Sequence, residues 1–362
     1  MDRLKVAMIA TEYVSMTFAS PAIDMPAEDR GAVLTARTRA GYDLPIIDVT
    51  HPRFAVADDP AARATRKQAF LKDDRQRRWL PGFLLRFLLR SFARKSQLAA
   101  AMFNQGNSYL DGITTYVMKL GADNLVPPFD GPADRRFAAS SHITLLRLRT
   151  QQTAALIAEA IAGDEAFANS APLHLVNIAG GPALDSINSL ILLRHSRPDL
   201  LKRPITIHVL DGNEDGAFFG ANALTVLKEK GHPLYGVDAA FELHDYDWNE
   251  PSSLARLLEK ITATGGIVAA SSEGGLFEYG TDDAITANLH VLHDAARFVV
   301  GSVTSNDAIR RRMIAMSGFQ VIPRGLEGFR PLAEAARFAV VKDEPALLSD
   351  QVLLMAQSQA GH

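Results

Sequence analysis

Gly180 and Gly181 stand between an apolar run, LHLVNI, and a helical run that continues from Ala183 to Leu193. A glycine pair opens backbone conformations closed to other residues. Polar groups of a ligand can then approach the main chain and the N-terminus of the following helix. Pro182 suits a first helical turn, where its missing N–H would be unpaired anyway. Asp185 can accept hydrogen bonds near that helix start. The G-x-G-x-x-G spacing of dinucleotide sites is absent, and Pro182 removes a donor that a pyrophosphate would use. A ligand without phosphate, whose amino-acid tail reaches the turn, fits this pattern better. The structural alternative is an ordinary strand-to-helix turn.

Three further segments place polar groups after apolar runs. Asp211, with Asn213 beside it, follows ITIHVL directly. A carboxylate at that edge of a parallel sheet can accept both hydroxyls of a ribose, or it can cap the next helix. In HDYDWNEP, Asp245 or Asp247 can accept from an adenine amino group, while Tyr246 or Trp248 offers a ring face. The alternative is that Asp247 or Asn249 caps the helix near Ser252. In AASSEGG, Ser271, Ser272 and Glu273 would project at the same edge. There Glu273 can serve as a base or hold a cationic centre, unless the loop is simply solvated. His290 and His293 read as histidines of a helix surface or core edge.

These residues need a scaffold, and the periodicity from about His142 supplies one. HITLLRLRTQQTAALIAEAIAG has helical spacing and stops at Gly163. Strands are predicted over Leu173–Ile178, Ile205–Leu210, Phe241–His244, Gly266–Ala270 and Phe298–Val303. The helices between and after them are predicted over Ser186–Arg194, Gly220–Lys230, Ser252–Thr262, Asp283–Ala295 and Asp307–Met316. FQVIPR and RFAVVK read as a closing antiparallel strand pair with no strong helix between them. Repeated β-then-α alternation predicts a parallel sheet with right-handed crossovers.

Composition narrows the class. The chain has 362 residues, is 47% hydrophobic, and carries a formal charge of -3, so no global field favours nucleic acid. It has no cysteine, which excludes disulfides, thiolate metal sites and a cysteine nucleophile. No metal site is predicted. The N-terminus lacks a signal-peptide pattern, and no run is long enough for a membrane span, so a cytoplasmic protein is expected.

Taken together, residues from about 142 to 342 resemble a class I S-adenosylmethionine-dependent methyltransferase. The resemblance rests on IAGGPALDS, LDGN, HDYDW, the SSEGG loop and the FQVIPR/RFAVVK pair. It implies an α/β, Rossmann-like seven-stranded sheet of order 3-2-1-4-5-7-6, its last strand antiparallel. It implies S-adenosylmethionine as cofactor, with Gly180 and Gly181 facing the methionine part. Asp211 would hold the ribose, and Asp245, Tyr246 and Asp247 would lie near the adenine. Asp185, Asn213, Ser271 and Ser272 complete the cofactor-binding set. The family's first motif carries an acid two residues before its first glycine. Ile178 takes that place here, so another segment must hold the methionine amino group.

Residues 1–140 are expected to form a mainly helical lid, 141–345 the cofactor-binding core, and 346–362 a tail. Within the lid, Tyr109 and Tyr116 are seven apart and share a helix face. They can contact the sulfonium or a substrate, or pack the segment onto the core. Arg147 or Arg149 can pair with the cofactor's carboxylate. Arg86, Arg90 and Arg94 form a basic stripe on an apolar helix over 82–95, suited to burial, a dimer contact or a weak membrane-surface contact. The expected activity is methyl transfer to a small-molecule acceptor, with Glu273, Tyr109 and Tyr116 as candidate catalytic groups. The alternatives are aminocarboxypropyl transfer, intramolecular cyclisation of the cofactor, or cofactor binding without catalysis. A nicotinamide oxidoreductase is disfavoured by the missing glycine fingerprint.

Overall fold

The computed structural model describes residues 31–78, 94–104, 112–317 and 320–357. Near its start, β1 (Thr35–Arg37) and β2 (Asp43–Pro45) pair antiparallel, with Ala36 opposite Leu44. The main sheet contains β3 (Leu173–Ile178), β4 (Ile205–Leu210), β5 (Ala239–His244), β6 (Ile267–Ser272), β7 (Ala296–Thr304), β8 (Phe338–Pro345) and β9 (Ser349–Ala356). Its order is β5-β4-β3-β6-β7-β9-β8. Numbered within the sheet, this is 3-2-1-4-5-7-6. β9 runs antiparallel to both neighbours, and the pairs from β5 to β7 are parallel.

Burial follows from the sheet's two covered faces. Nearly every residue of LHLVNI in β3 and ITIHVL in β4 is buried, as expected of central parallel strands. The edge strand β5 keeps several side chains exposed. One face packs against the long helix Ser141–Gly163 and the helices Leu184–Ser196 and Glu214–Leu227. The other face takes the helices Ser252–Ala263, Asp282–His293 and Gly325–Ala335. Leu44, Ile46, Ile47, Leu98, Tyr116 and Val117 belong to the first of these cores. The described part of the N-terminal region therefore shares a core with the sheet.

The C-terminal pattern differs from the sequence reading. Within FQVIPR the described residues form no strand. The run that follows is the helix Gly325–Ala335, which has Pro331 inside it. Phe329 and Ala333, four apart, fill the second core from this helix. Pro331 conceals the helix from a propensity argument, because proline normally breaks one. The antiparallel pair is instead β8 with β9, and β9 lies in the stretch assigned to a tail. QVLLM is an apolar run hydrogen-bonded on both sides, by β7 and by β8. The helix Glu214–Leu227 also begins six residues before its predicted start, because Asn213 caps it through the Asp215 N–H.

Burial and the nearby Asp343 push the Asp350 carboxyl up to about 6. The folded chain thus holds this proton more tightly than the unfolded chain. The resulting penalty grows as pH rises from about 4 through about 6. Asp350→Asn is expected to unfold at higher denaturant than the parent at pH 8, with the gap closing by pH 4. Equal midpoints at pH 8 would contradict this environment.

Candidate functional site at the carboxyl edge of the sheet

The strand order turns outward on both sides of β3, with β4 on one side and β6 on the other. The helix after β3 covers one face and the helices after β6 the opposite face. A crevice opens at such a switch point, outside the carboxyl ends of the strands. Most of the candidate residues lie around it.

The turn after β3 has an alternating backbone. Ala179, Gly181 and Ala183 adopt positive φ values of 55°, 52° and 52°. The alanines hold a conformation that strains an L residue. A Cβ on Gly180 would lie 1.6 Å from Asn177 Oδ1, so only glycine fits above that side chain. The first left-handed residue is Ala179, and Asn177 lies two residues before it.

Asn177 is buried with Asp185, Ser186 and Ser271. Its Nδ2 donates to Asp185 Oδ1 at 2.6 Å and reaches Ser271 Oγ at 3.1 Å. Burial, and next Glu273, push the Asp185 carboxyl up. Asn177 Oδ1 and Asp185 Oδ2 are buried acceptors without a hydrogen-bond partner. Such orphans are rare in folded proteins, and a donor bound at the turn would satisfy them.

Asp211 reaches back to the turn, where its Oδ2 accepts from the Gly181 N–H at 3.0 Å. Its Oδ1 accepts from the Asn213 N–H at 2.9 Å. Burial pushes this carboxyl above its ordinary range, against those backbone donors. The helix Gly112–Lys119 starts directly on the turn. A Cβ on Gly112 would lie 3.1 Å from Gly181 Cα and 3.3 Å from Gly216 Cα. Glycine at 112, 181 and 216 lets three chain segments meet main chain to main chain.

The loop after β6 carries a buried ion network. Glu273 accepts from Lys119 Nζ on one oxygen and from Arg149 Nε on the other. Thr150 Oγ1 lies 3.3 Å from it. Arg149 Nη1 also donates to Glu278 at 3.0 Å, and Thr304 Oγ1 donates to Glu278 at 2.9 Å. Burial alone would raise the Glu273 pKa. Lys119 and Arg149 outweigh it and hold the carboxyl below its ordinary range. Arg310 is buried beside Glu278, and its Nε has no hydrogen-bond partner.

Several sequence expectations change on this geometry. Glu273 is held ionised by two cations, so it is not a free general base. Tyr116 is buried, donates to the Pro45 carbonyl at 2.7 Å and accepts from the Ile47 N–H at 2.8 Å. It ties β2 to the core instead of facing a substrate. Ser272 donates to the Ile178 carbonyl and accepts from the Leu276 N–H, so its hydroxyl is spent on the loop. Tyr246 is buried and bonds to Asn288 Oδ1. Asp247 accepts from Asn249 within its own turn, whereas Asp245 is exposed at the end of β5. Arg147 bonds to the Phe54 carbonyl and leaves Arg149 as the arginine of the site. Tyr109 and residues 82–93 of the arginine-striped segment lie outside the described residues, while Arg94 is exposed. His290 is exposed and His293 borders the second core, as the spacing suggests.

The sequence reading missed Asn177, Lys119, Glu278 and Arg310. Glu278 had one signal, a charge inside the apolar run LFEY. Glu273→Gln leaves Arg149 with Glu278 but takes the carboxylate from Lys119, whose pKa burial already lowers, and breaking a buried pair costs about 3–5 kcal/mol. A loss of that size in urea unfolding is expected near pH 7. The lowered carboxyl adds stability above its ordinary value near 4.5 and loses it as pH falls further. The difference between parent and variant should therefore narrow only below about pH 4.5. A variant as stable as the parent at pH 7 would show that the network carries little stability.

No protein-family model matches the chain, and no curated protein does. Solved structures do. Magnesium protoporphyrin IX methyltransferase from Synechocystis PCC 6803, with bound SAH, is 15% identical with a TM-score of 0.40; the match covers 60% of this chain and 89% of that one. An O-methyltransferase from neocarzinostatin biosynthesis, in complex with S-adenosylmethionine and a naphthoic acid, is 17% identical with a TM-score of 0.34; the match covers 62% and 64%. N,N-8-amino-8-demethyl-D-riboflavin dimethyltransferase from Streptomyces davawensis is 12% identical with a TM-score of 0.36, over 72% and 70%. The order 3-2-1-4-5-7-6, closed by an antiparallel strand between two parallel ones, is this chain's own topology. The chain has a Rossmann-like α/β fold with the methyltransferase sheet order.

Proposed function

We propose that the protein binds S-adenosylmethionine at the turn after β3 and transfers its methyl group to a small-molecule acceptor. The observation that carries this reading is the joined pair of Asp211 and the left-handed turn at the switch point of the sheet. The buried orphan acceptors Asn177 Oδ1 and Asp185 Oδ2 support it, since they suit a cationic or N–H donor group. Asp211 would hold the ribose hydroxyls, exchanging its Gly181 contact for them. Asp245, exposed after β5, would accept from the adenine. The methionine end would lie over Gly180 and Gly181, with Asn177 and Asp185 beneath.

The cofactor supplies a methyl already activated on sulfonium, so the protein's task is position and exclusion of water. The Lys119–Glu273–Arg149 network fixes the helix Gly112–Lys119 over the crevice and thereby its roof. No described residue of this site is placed as a free base. An acceptor that is already nucleophilic at working pH suits it best. No helix among the described residues is long and apolar enough to cross a membrane.

Incubation with S-adenosylmethionine and an acceptor panel, followed by mass spectrometry of the nucleoside product, tests the reading. S-adenosylhomocysteine is expected. Methylthioadenosine would mean chemistry on the amino-acid side chain instead, and binding without turnover would leave a non-catalytic role. Asp211→Ala is expected to weaken cofactor binding at least 10-fold, about 1.4 kcal/mol, in equilibrium titration. Unchanged affinity would remove Asp211 from the ribose.

A further inference from the structure

A second polar cluster lies on the sheet. His174 on β3, His208 on β4 and His244 on β5 line one face of three adjacent strands. His174 Nδ1 is 2.9 Å from His208 Nε2, and His208 Nδ1 is 3.1 Å from His244 Nε2. Glu242, directly opposite His208 in the β4–β5 register, brings its Oε2 to 3.3 Å from His208 Nδ1 and 3.7 Å from His244 Nε2. His208 is buried, His244 is half-buried, and Glu242 is exposed on the edge strand. His208 precedes Asp211 by three residues, about 10 Å along the strand, so His208 lies below the ribose position, while His244 directly precedes Asp245 at the adenine end.

We propose that His208, Glu242 and His244 form a binding site for one divalent transition-metal ion of the zinc type, with water in the fourth position. A tetrahedral ion with bonds of about 2.0–2.1 Å separates its donor atoms by about 3.3–3.4 Å. The three donor separations here, 3.1, 3.3 and 3.7 Å, bracket that value. Two imidazoles and one carboxylate select zinc, cobalt, nickel or copper over magnesium or calcium. His174 supplies the outer partner. With the ion bound, His208 would donate its Nε2–H to His174 Nδ1, leaving Nδ1 of His208 as a lone pair for the ion and fixing the ring. His244 then carries its proton on Nδ1, so binding requires only a tautomer change. Glu242 adds the negative charge, which offsets Lys260 near both rings.

The ligands span β4 and β5, so a bound ion would clamp the edge strand to the sheet. The chain contains no cysteine to compete for the metal. The test uses the untagged full chain, stripped with chelator and titrated calorimetrically with Zn²⁺. One equivalent binding in the micromolar range or tighter is expected, with a rise in unfolding temperature. Co²⁺ should give the intense visible absorption of a tetrahedral site. Glu242→Gln and His244→Gln, on the partly exposed edge strand, should each weaken binding at least 10-fold and abolish the visible band. Metal-free unfolding temperatures should stay near that of the parent. Glu242 is the more exposed ligand, so its variant decides the matter if the histidine variant folds poorly. Absence of stoichiometric binding below about 100 μM, or binding that survives Glu242→Gln, overturns the proposal.

Discussion

Lys119 and Arg149 close on the single carboxylate of Glu273 inside the protein, and Arg149 continues to Glu278. All four side chains are less than a tenth exposed. They come from three parts of the architecture. Lys119 ends the helix Gly112–Lys119, Arg149 lies in the long helix, and the two glutamates follow β6. Thr304 joins from the end of β7. Desolvating such charges is expensive, and their attraction offsets it only when the geometry is complete. The network therefore acts as a constraint of position. The roof helix has one place to sit, and that place is over the carboxyl edge of β3 and β6.

Close backbone contact completes the constraint from below. Gly112, Gly181 and Gly216 meet where three segments cross, and Gly180 is required by the Asn177 side chain beneath it. The turn is thus shaped by its neighbours as much as by its own sequence. That explains how Ala179 and Ala183 can occupy left-handed backbone where glycine would be easier. Asn177 and Asp185 remain with unmet acceptors under this turn. Strained backbone, unmet acceptors and a fixed roof are the features the proposed cofactor site rests on.

The parallel part of the fold was legible because LHLVNI, ITIHVL and the helical runs between them carry clear periodicity. The C-terminal part was not, because Pro331 sits inside a helix and QVLLM shows no alternation. The placement of Gly180, Gly181 and Asp211 together at the carboxyl edge could be read from local order alone. Tyr116, Ser272 and Glu273 could not. Their roles depend on partners at Pro45, Ile178 and Arg149, and sequence spacing does not reveal whether a hydroxyl or carboxylate is already taken. The histidines fall between these cases. They recur at separations of 34 and 36 residues, one per β-then-α unit, a spacing that only parallel register converts into adjacency.

A crystal structure of the protein with S-adenosylhomocysteine tests the central claim most directly. The account predicts the amino-acid end over Gly180 and Gly181, and both ribose hydroxyls within hydrogen-bond distance of Asp211. It also predicts the Lys119–Glu273–Arg149 network intact above them. Density for the nucleoside elsewhere, or a turn left empty at saturating ligand with Asp211 still bonded to Gly181, would contradict it.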